Sequence, residues 1–433
     1  MAHPFNTASE ASGLCSYVDA APSPFHACDE AAGRLEAAGF SRVQESDEWP
    51  TGGGRHYLVR GGSLIAWSTE HAGGATTPFR VVGAHTDSPN LRIKPQPDVA
   101  RAGWQLLGVE VYGGPLVNSW LDRDLGLSGR VAVRDSAGVS ERLMRVDDPI
   151  LRVAQLAVHL DRDVNDSGLK LNPQQHLAPI WGVGTEAGDF RAYVAQSVGA
   201  EPSDVLAWDL MTHDLTPSRR IGRNHELIAA PRLDNLATSY AGVQALVDAV
   251  GSAPAGEWSQ VLVLFDHEEV GSMSDRGAFS TLLPTVLERI VGSLGGGRED
   301  YLRALAGTVI ASGDMAHATH PNYPDRHEPQ HQITINGGPV LKVNNLGRYA
   351  TNAVGAGAFM RACEQAGVPV QQFVVRSDMP CGSTVGPMTS ALTGATTVDF
   401  GAPMLSMHSA REMCGALDPA MYAGALAAFL SPQ

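Results

Sequence analysis

The sequence predicts an α/β protein: a mixed β-sheet sandwiched between helices, with an inserted mainly-β domain. Three observations predict it. Apolar runs of strand length alternate with helical patterns towards both ends of the chain. Between about Ile93 and Glu226 that rhythm gives way to short β-like pieces separated by turn signals. The 433 residues suffice for two domains with a sizeable core in at least one. The expected division is 1–93 with 227–433 for the α/β domain, and 94–226 for the insert.

Taken in order, 8–20 and 24–39 read as helices. In the second, Phe25, Ala27, Ala31, Leu35 and Ala38 recur at roughly helical spacing, and Gly39 is placed to end it. Residues 56–60 and 63–67 read as strands joined by Gly61-Gly62, a hairpin signal. The run 79–84 is a short buried strand ending in His85-Thr86-Asp87. Within the insert, 105–112, 129–134 and 141–146 are β-like, divided by turns such as Gly113-Gly114-Pro115 and Asp135-Ser136-Ala137-Gly138. The α/β pattern resumes with a helix over 236–250, a strand over 261–265, a helical stretch over 280–292 and a strand over 308–312. It closes with a largely helical 347–366, strands over 372–376 and 396–400, and a helix over 419–430.

Composition narrows the function. Charged residues make up 18% and hydrophobic ones 43%, ordinary values for a globular protein. A formal net charge of −15 disfavours nucleic acid and anionic membrane as partners, without excluding an acidic small substrate. The cysteines, Cys15, Cys28, Cys363, Cys381 and Cys414, are odd in number, scattered and free of any C-x-x-C pair, the usage of a reducing compartment. The first residues carry no signal-peptide pattern, and no run approaches the roughly 18 apolar residues of a membrane span. A soluble cytoplasmic protein is expected.

The chemistry concentrates in VLVLFDHEEVGS, 261–272. Here a strand buried on both faces runs into Asp266-His267-Glu268-Glu269, and Gly271 lets the chain turn away. Adjacent carboxylates at such a place need a reason, because unpaired buried charge is expensive. Open α/β sheets carry their chemistry at the carboxyl ends of their strands. One glutamate binding a metal while its neighbour handles protons is one explanation; a solvated strand exit is the other. His85 also follows a buried strand, with Asp87 placed to accept a hydrogen bond from its second ring nitrogen. Asp234 stands before a helix, where an N-cap is the alternative role. Asp314 and His408 follow two further strands. If the sheet is mainly parallel, all these positions converge on one edge. Two histidines and three carboxylates then form a ligand set suited to two zinc ions, with one carboxylate bridging.

Other motifs are set aside. His267-Glu268-Glu269-Val270-Gly271 is not H-E-x-x-H, and Gly382-Ser383-Thr384-Val385-Gly386 puts threonine where a G-x-S-x-G elbow needs serine. The group His317, His320, His327 and His331 reads as a polar loop beside the first site rather than as a second one.

Long stretches in order carry a resemblance: AHTDSPNLRIKP (84–95), WLDRDLGLSGRV (120–131), PRLDNLATSYAG (231–242), FDHEEVGSMSDRGA (265–278), GDMAHATHPNY (313–323), RYATN (348–352), DMPCGSTVGP (378–387) and HSARE (408–412). Over nearly its whole length the sequence resembles the aspartyl aminopeptidase family of co-catalytic zinc exopeptidases. By that resemblance one zinc is bound by His85, Asp234 and Asp314, the other by Asp234, Glu269 and His408. Glu268 is then the general acid/base and Asp87 the support of His85. The resemblance also implies a histidine lent by the inserted domain of a neighbouring subunit, matched by His159, and a lysine meeting the acidic substrate side chain, matched by Lys342. It implies two zinc ions per subunit, with manganese or cobalt as substitutes, and a homododecamer whose insert serves assembly or lid closure. Asn90, His267 and Leu346-Gly347 depart from residues common in the family; none is a proposed ligand.

The expected reaction is release of one N-terminal residue, aspartate or glutamate preferred, from short peptides. A water bridging two zinc ions gives its proton to Glu268 and attacks the scissile carbonyl, with Glu268 then protonating the leaving amine. A solvated surface lysine is the alternative for Lys342. The rival functions are a metalloaminopeptidase of broader or neutral specificity and a related amidohydrolase on acylated amino acids. Further off stand a cysteine hydrolase built on Cys381 and a non-enzymatic assembling protein.

Overall fold

A computed structural model describes residues 7–433 apart from 137 and 253. Residues 1–6, the start of the segment read for a leader, and Ala137 of the 135–138 turn lie outside the described residues. The chain divides into two compact units: one runs to Asp87 and adds Ser218–Met407 and Glu412–Gln433, the other comprises Ser88–Pro217 with His408–Arg411. The divide thus falls at 87/88 and 217/218, rather than at 93/94 and 226/227. Asn90–Arg101 is one strand of the insert's sheet, and Arg219–Ile221 pairs with Leu227–Ala230 in a sheet of the larger unit.

The larger unit is built on a nine-stranded mixed sheet. At its centre Ser259–Phe265, Phe79–His85, Val309–Gly313 and Thr396–Gly401 run parallel in that order. The predicted hairpin, Arg55–Arg60 with Ser63–Ser68, closes across Gly61-Gly62 and adds antiparallel to Ser259–Phe265. On the other side Val340–Val343 pairs antiparallel with Thr396–Gly401 and parallel with Gln371–Val374. A second, five-stranded sheet includes Leu227–Ala230 and Glu412–Gly415.

Every residue of Ser259–Phe265 is buried. The pleat sends its side chains alternately to two cores. Leu262 and Leu264 pack with Leu14, Leu236 and Leu426 from the helices Thr7–Ala20, Leu233–Val250 and Asp418–Leu430. Val261, Val263 and Phe265 join Leu282, Leu287 and Ile290 of the helix Leu282–Ser293. Fully burying each such side chain contributes about 1.5–3 kcal/mol, so the strand is anchored from both sides. This is the helix-sheet-helix sandwich that the sequence predicts.

Helix ends follow local chemistry. Ser23 caps Pro24–Ala37 by accepting from the His26 amide, with proline in the first turn. The stretch expected to be helical from 347 begins only at Ala353, because Gly347 turns at φ 72° and Asn352 caps the helix by accepting from the Gly355 amide.

The smaller unit is a six-stranded antiparallel sheet with a helix, Phe190–Val198, packed on it. Leu91, Leu107, Val131, Phe190 and Leu210 meet in its own core. Among the described residues no helix is long and apolar enough to cross a membrane. All five cysteines are free.

Candidate metal centre

Three of the four parallel strands deliver chemistry to one sheet edge. His85 is the last residue of its strand, and Asp314 directly follows Val309–Gly313. After Phe265 and Asp266 the chain turns at His267, φ 65°, into a short 3-10 turn, 268–270, which carries Glu268 and Glu269. Asp234 sits in the first turn of Leu233–Val250 with non-helical backbone angles, and the Asp234–Asn235 peptide is cis.

Within the larger unit these residues come together. The Nε2 atom of His85 lies 3.5 Å from Asp234 Oδ1 and 3.8 Å from Asp314 Oδ1. One ligand atom from each of these three residues falls within 4.8 Å of the other two, and the same holds for His85, Glu268 and Glu269. Zinc bonds of about 2.0–2.1 Å in tetrahedral array place ligand atoms roughly 3.3 Å apart, so the first set needs only a small contraction to close on an ion.

Charge balance makes the same demand. Asp87, Asp234, Glu268, Glu269 and Asp314 gather near the His85 imidazole, and the Lys342 ammonium lies 3.5 Å from Asp314. Carboxylates clustered this closely repel one another, and a divalent metal among them would relieve that repulsion. An imidazole with carboxylates suits zinc.

Asp87 has a more specific job than the sequence suggests. His85 Nδ1 lies 3.0 Å from its backbone carbonyl oxygen and 3.5 Å from its carboxylate. The carboxylate itself accepts the amides of Glu268 and Glu269, one on each oxygen, both at 3.1 Å. Asp87 therefore fixes the glutamate turn as well as the imidazole.

Two contacts escape sequence reasoning. Glu412, buried and from the five-stranded sheet, accepts the Asp234 amide at 3.0 Å. Ser239 donates to the His85 carbonyl at 2.8 Å. The only signal for Glu412 is its place in the 408–412 stretch. Lys342 is 3% exposed with Nζ 3.5 Å from Asp314 Oδ2, which rules out a solvated surface lysine.

His408 and His159 belong to the smaller unit. His408 Nδ1 lies 2.9 Å from the Gly114 carbonyl oxygen. His159 lies exposed in a turn beside exposed Leu156, Val158 and Leu160. Of the other histidines, His317, His320 and His327 line a cleft of about 290 Å³ with Tyr349, Cys381 and Met404.

Without a cation, burial pushes the Glu268 carboxyl from about 4.5 up to about 8, reinforced by Asp314, Asp87 and Asp234 and opposed by His85. Burial disfavours charged His85, but hydrogen bonds to Asp234, Asp314 and Asp87 outweigh it and raise its proton affinity well above the ordinary range. Both groups hold protons more tightly folded than unfolded. Their stabilisation of the metal-free fold is complete below the unfolded values and is lost as pH rises through the folded ones. Zinc needs the Nε2 atom of His85 free of its proton and would favour the ionised form of Glu268 beside it, so its stabilising effect grows with pH. The gap in melting temperature between zinc-loaded and chelated protein should widen from pH 5 to pH 8, as calorimetry can check; a constant gap would contradict the coupling.

A family model described as Aminopeptidase I zinc metalloprotease (M18) matches residues 17–430. The chain belongs to the M18 aminopeptidase family. This M18 chain is 57% identical over 431 residues to a probable M18 family aminopeptidase 2 of Mycobacterium bovis (strain BCG / Pasteur 1173P2), covering 98% of this chain and 99% of that one. It is similar to a chain in a cryo-electron-microscopy structure of the Ape4 and Nbr1 complex, with TM-score 0.93, 35% identity and coverage of 99% and 87%. It is also similar to a chain of the S. cerevisiae mApe1 dodecamer, with TM-score 0.86, 26% identity and coverage of 99% and 97%. The M18 chain is thus a zinc aminopeptidase, a peptide hydrolase with the mixed α/β fold of its family.

Proposed function

We propose that this M18 aminopeptidase binds two zinc ions per subunit and releases single N-terminal residues, preferentially aspartate or glutamate, from short peptides. The carrying observation is the gathering of His85, Asp234 and Asp314 beside Glu268 and Glu269 at one sheet edge. His85, Asp234 and Asp314 would hold one ion; Asp234 would bridge to a second, held also by Glu269 and His408. Bound zinc supplies a Lewis acid that polarises the scissile carbonyl and lowers the proton affinity of the attacking water.

The chain's own residues do the rest. Glu268, not counted among the ligands, takes the water's proton and returns it to the leaving amine. Asp87 holds the Glu268 amide, which fixes the backbone from which the base projects. Lys342 supplies the positive charge that an acidic substrate side chain would meet, and the partner subunit's His159 adds a donor to the developing oxyanion. Assembly as a homododecamer accords with the dodecameric relative. The apolar side chains of Leu156, Val158 and Leu160, exposed around His159, are a surface that subunit contact would cover. Free cysteines accord with a cytoplasmic setting.

One observation favours the broader-specificity reading: the Lys342 ammonium is already paired with Asp314. Aspartyl, glutamyl and leucyl peptides assayed with and without a chelator, then with zinc, manganese or cobalt restored, separate the two. The expected result is metal-dependent release with the acidic peptides fastest. Equal rates on leucyl and aspartyl peptides would remove the acidic preference, and turnover of acylated amino acids instead of free N-termini would replace the peptidase reading with the amidohydrolase one.

A further inference from the structure

The setting of Lys342 points beyond contact with substrate. The residue lies on Val340–Val343, an interior strand hydrogen-bonded on both sides, and is 3% exposed. A buried ammonium needs an anion. Its Nζ lies 3.5 Å from Asp314 Oδ2 and 5.4 Å from the centre of the Tyr349 ring, whose face favours a cation. Asp399, buried on the neighbouring strand, feels the Lys342 charge but spends its direct hydrogen bonds elsewhere: it accepts from Thr384 Oγ1 and from the Ala350 amide, both at 2.6 Å. Among the described residues, Asp314 is therefore the ion-pair partner of Lys342. The two oxygens of Asp314 have separate tasks, Oδ1 facing His85 Nε2 at 3.8 Å and Oδ2 facing the ammonium.

We propose that Lys342 is a positioning residue of the metal centre, holding Asp314 to ligation through one oxygen and drawing negative charge from it. The inference rests on Asp314 being a metal ligand. An oxygen tied to an ammonium by a charge-assisted bond is a poor second ligand, and the whole carboxylate becomes a weaker base. An ion held there would lose less of its Lewis acidity to its ligands. Removing the ammonium would free Oδ2 to bind and would also remove a positive charge close to the cation. The metal should then sit more tightly and work less well.

The test uses the full-length protein reconstituted with cobalt, comparing wild type with Lys342→Met, Lys342→Gln and Lys342→Arg. For Met and Gln the visible cobalt absorption should weaken as coordination number rises. The chelator concentration that strips half the metal should rise on the order of tenfold, and kcat should fall on acidic and leucyl peptides alike. Arginine keeps the charge and should keep the spectrum and the metal affinity. Gln keeps polarity where Met would leave an apolar group beside a carboxylate, so it carries the test if Met does not fold. Unchanged cobalt spectra and affinity in the neutral variants, with loss confined to KM for acidic peptides, would overturn the proposal and leave Lys342 as a substrate contact alone. A wild-type protein that takes up no cobalt would instead overturn the metal-centre reading beneath it.

Discussion

Replacing Glu268 with glutamine is expected to leave the fold and the bound metal intact while kcat falls by a factor of about 100 to 10,000. The side chains are isosteric, and the backbone amide that anchors the turn to Asp87 is unchanged by the substitution. What is lost is the ability to accept a proton and hand it on. Because the group acts in the transition state, kcat should drop with little change in KM. Steady-state kinetics alongside metal analysis of the same sample checks this. Full activity with normal metal content would dismiss Glu268 as the base, and loss of metal would recast it as a ligand.

The second large effect is expected at Asp87, which is wholly buried. Alanine there removes the acceptor for the Glu268 and Glu269 amides and the carboxylate beside His85 Nδ1. A fully buried donor left without a partner costs about 1–3 kcal/mol, and these two amides are half-buried, so a loss of roughly 2–3 kcal/mol is expected in urea unfolding. Activity should fall at least about 10- to 100-fold through displaced metal ligands. Asparagine keeps one acceptor but turns an NH2 towards the other amide, so its effect should lie between. A stable, active alanine variant would show that the turn holds itself.

Much of this site is legible in the sequence because it follows from strand ends. The run 261–265 announces a strand with two apolar faces, and a doubly buried strand belongs in the middle of a sheet. On one side Phe79–His85 runs parallel to it, with Val309–Gly313 parallel beyond, so residues as far apart as His85, Glu268 and Asp314 arrive at one edge. The contacts between those residues are less legible. Glu412 reaches Asp234 through a second sheet whose strands come from distant parts of the chain, and nothing local in Glu412 indicates burial. Lys342 reads as an ordinary lysine until its strand is seen to be interior. The divide near residue 90 is obscured by Pro95 and Pro97, which interrupt the strand signal. The structure absorbs them in a register shift between Ile93 and Asp98 and continues the strand to Arg101. At 347–352 glycine and an asparagine cap outweigh a helical pattern, a case where the local signal was present and the longer periodicity misled.

The double burial of Ser259–Phe265 also limits how this protein can evolve. Losing one residue inside that strand would exchange its two faces, sending leucines into the space cut for valines and phenylalanine. It would also draw the glutamate turn back by about 3.3 Å, out of reach of Asp87. Surface loops of the same chain can lengthen or shorten at small thermodynamic cost. Drift in length is therefore tolerable almost anywhere before it is tolerable here, and the number of residues in one apolar strand becomes as heritable a property of the catalyst as its ligands.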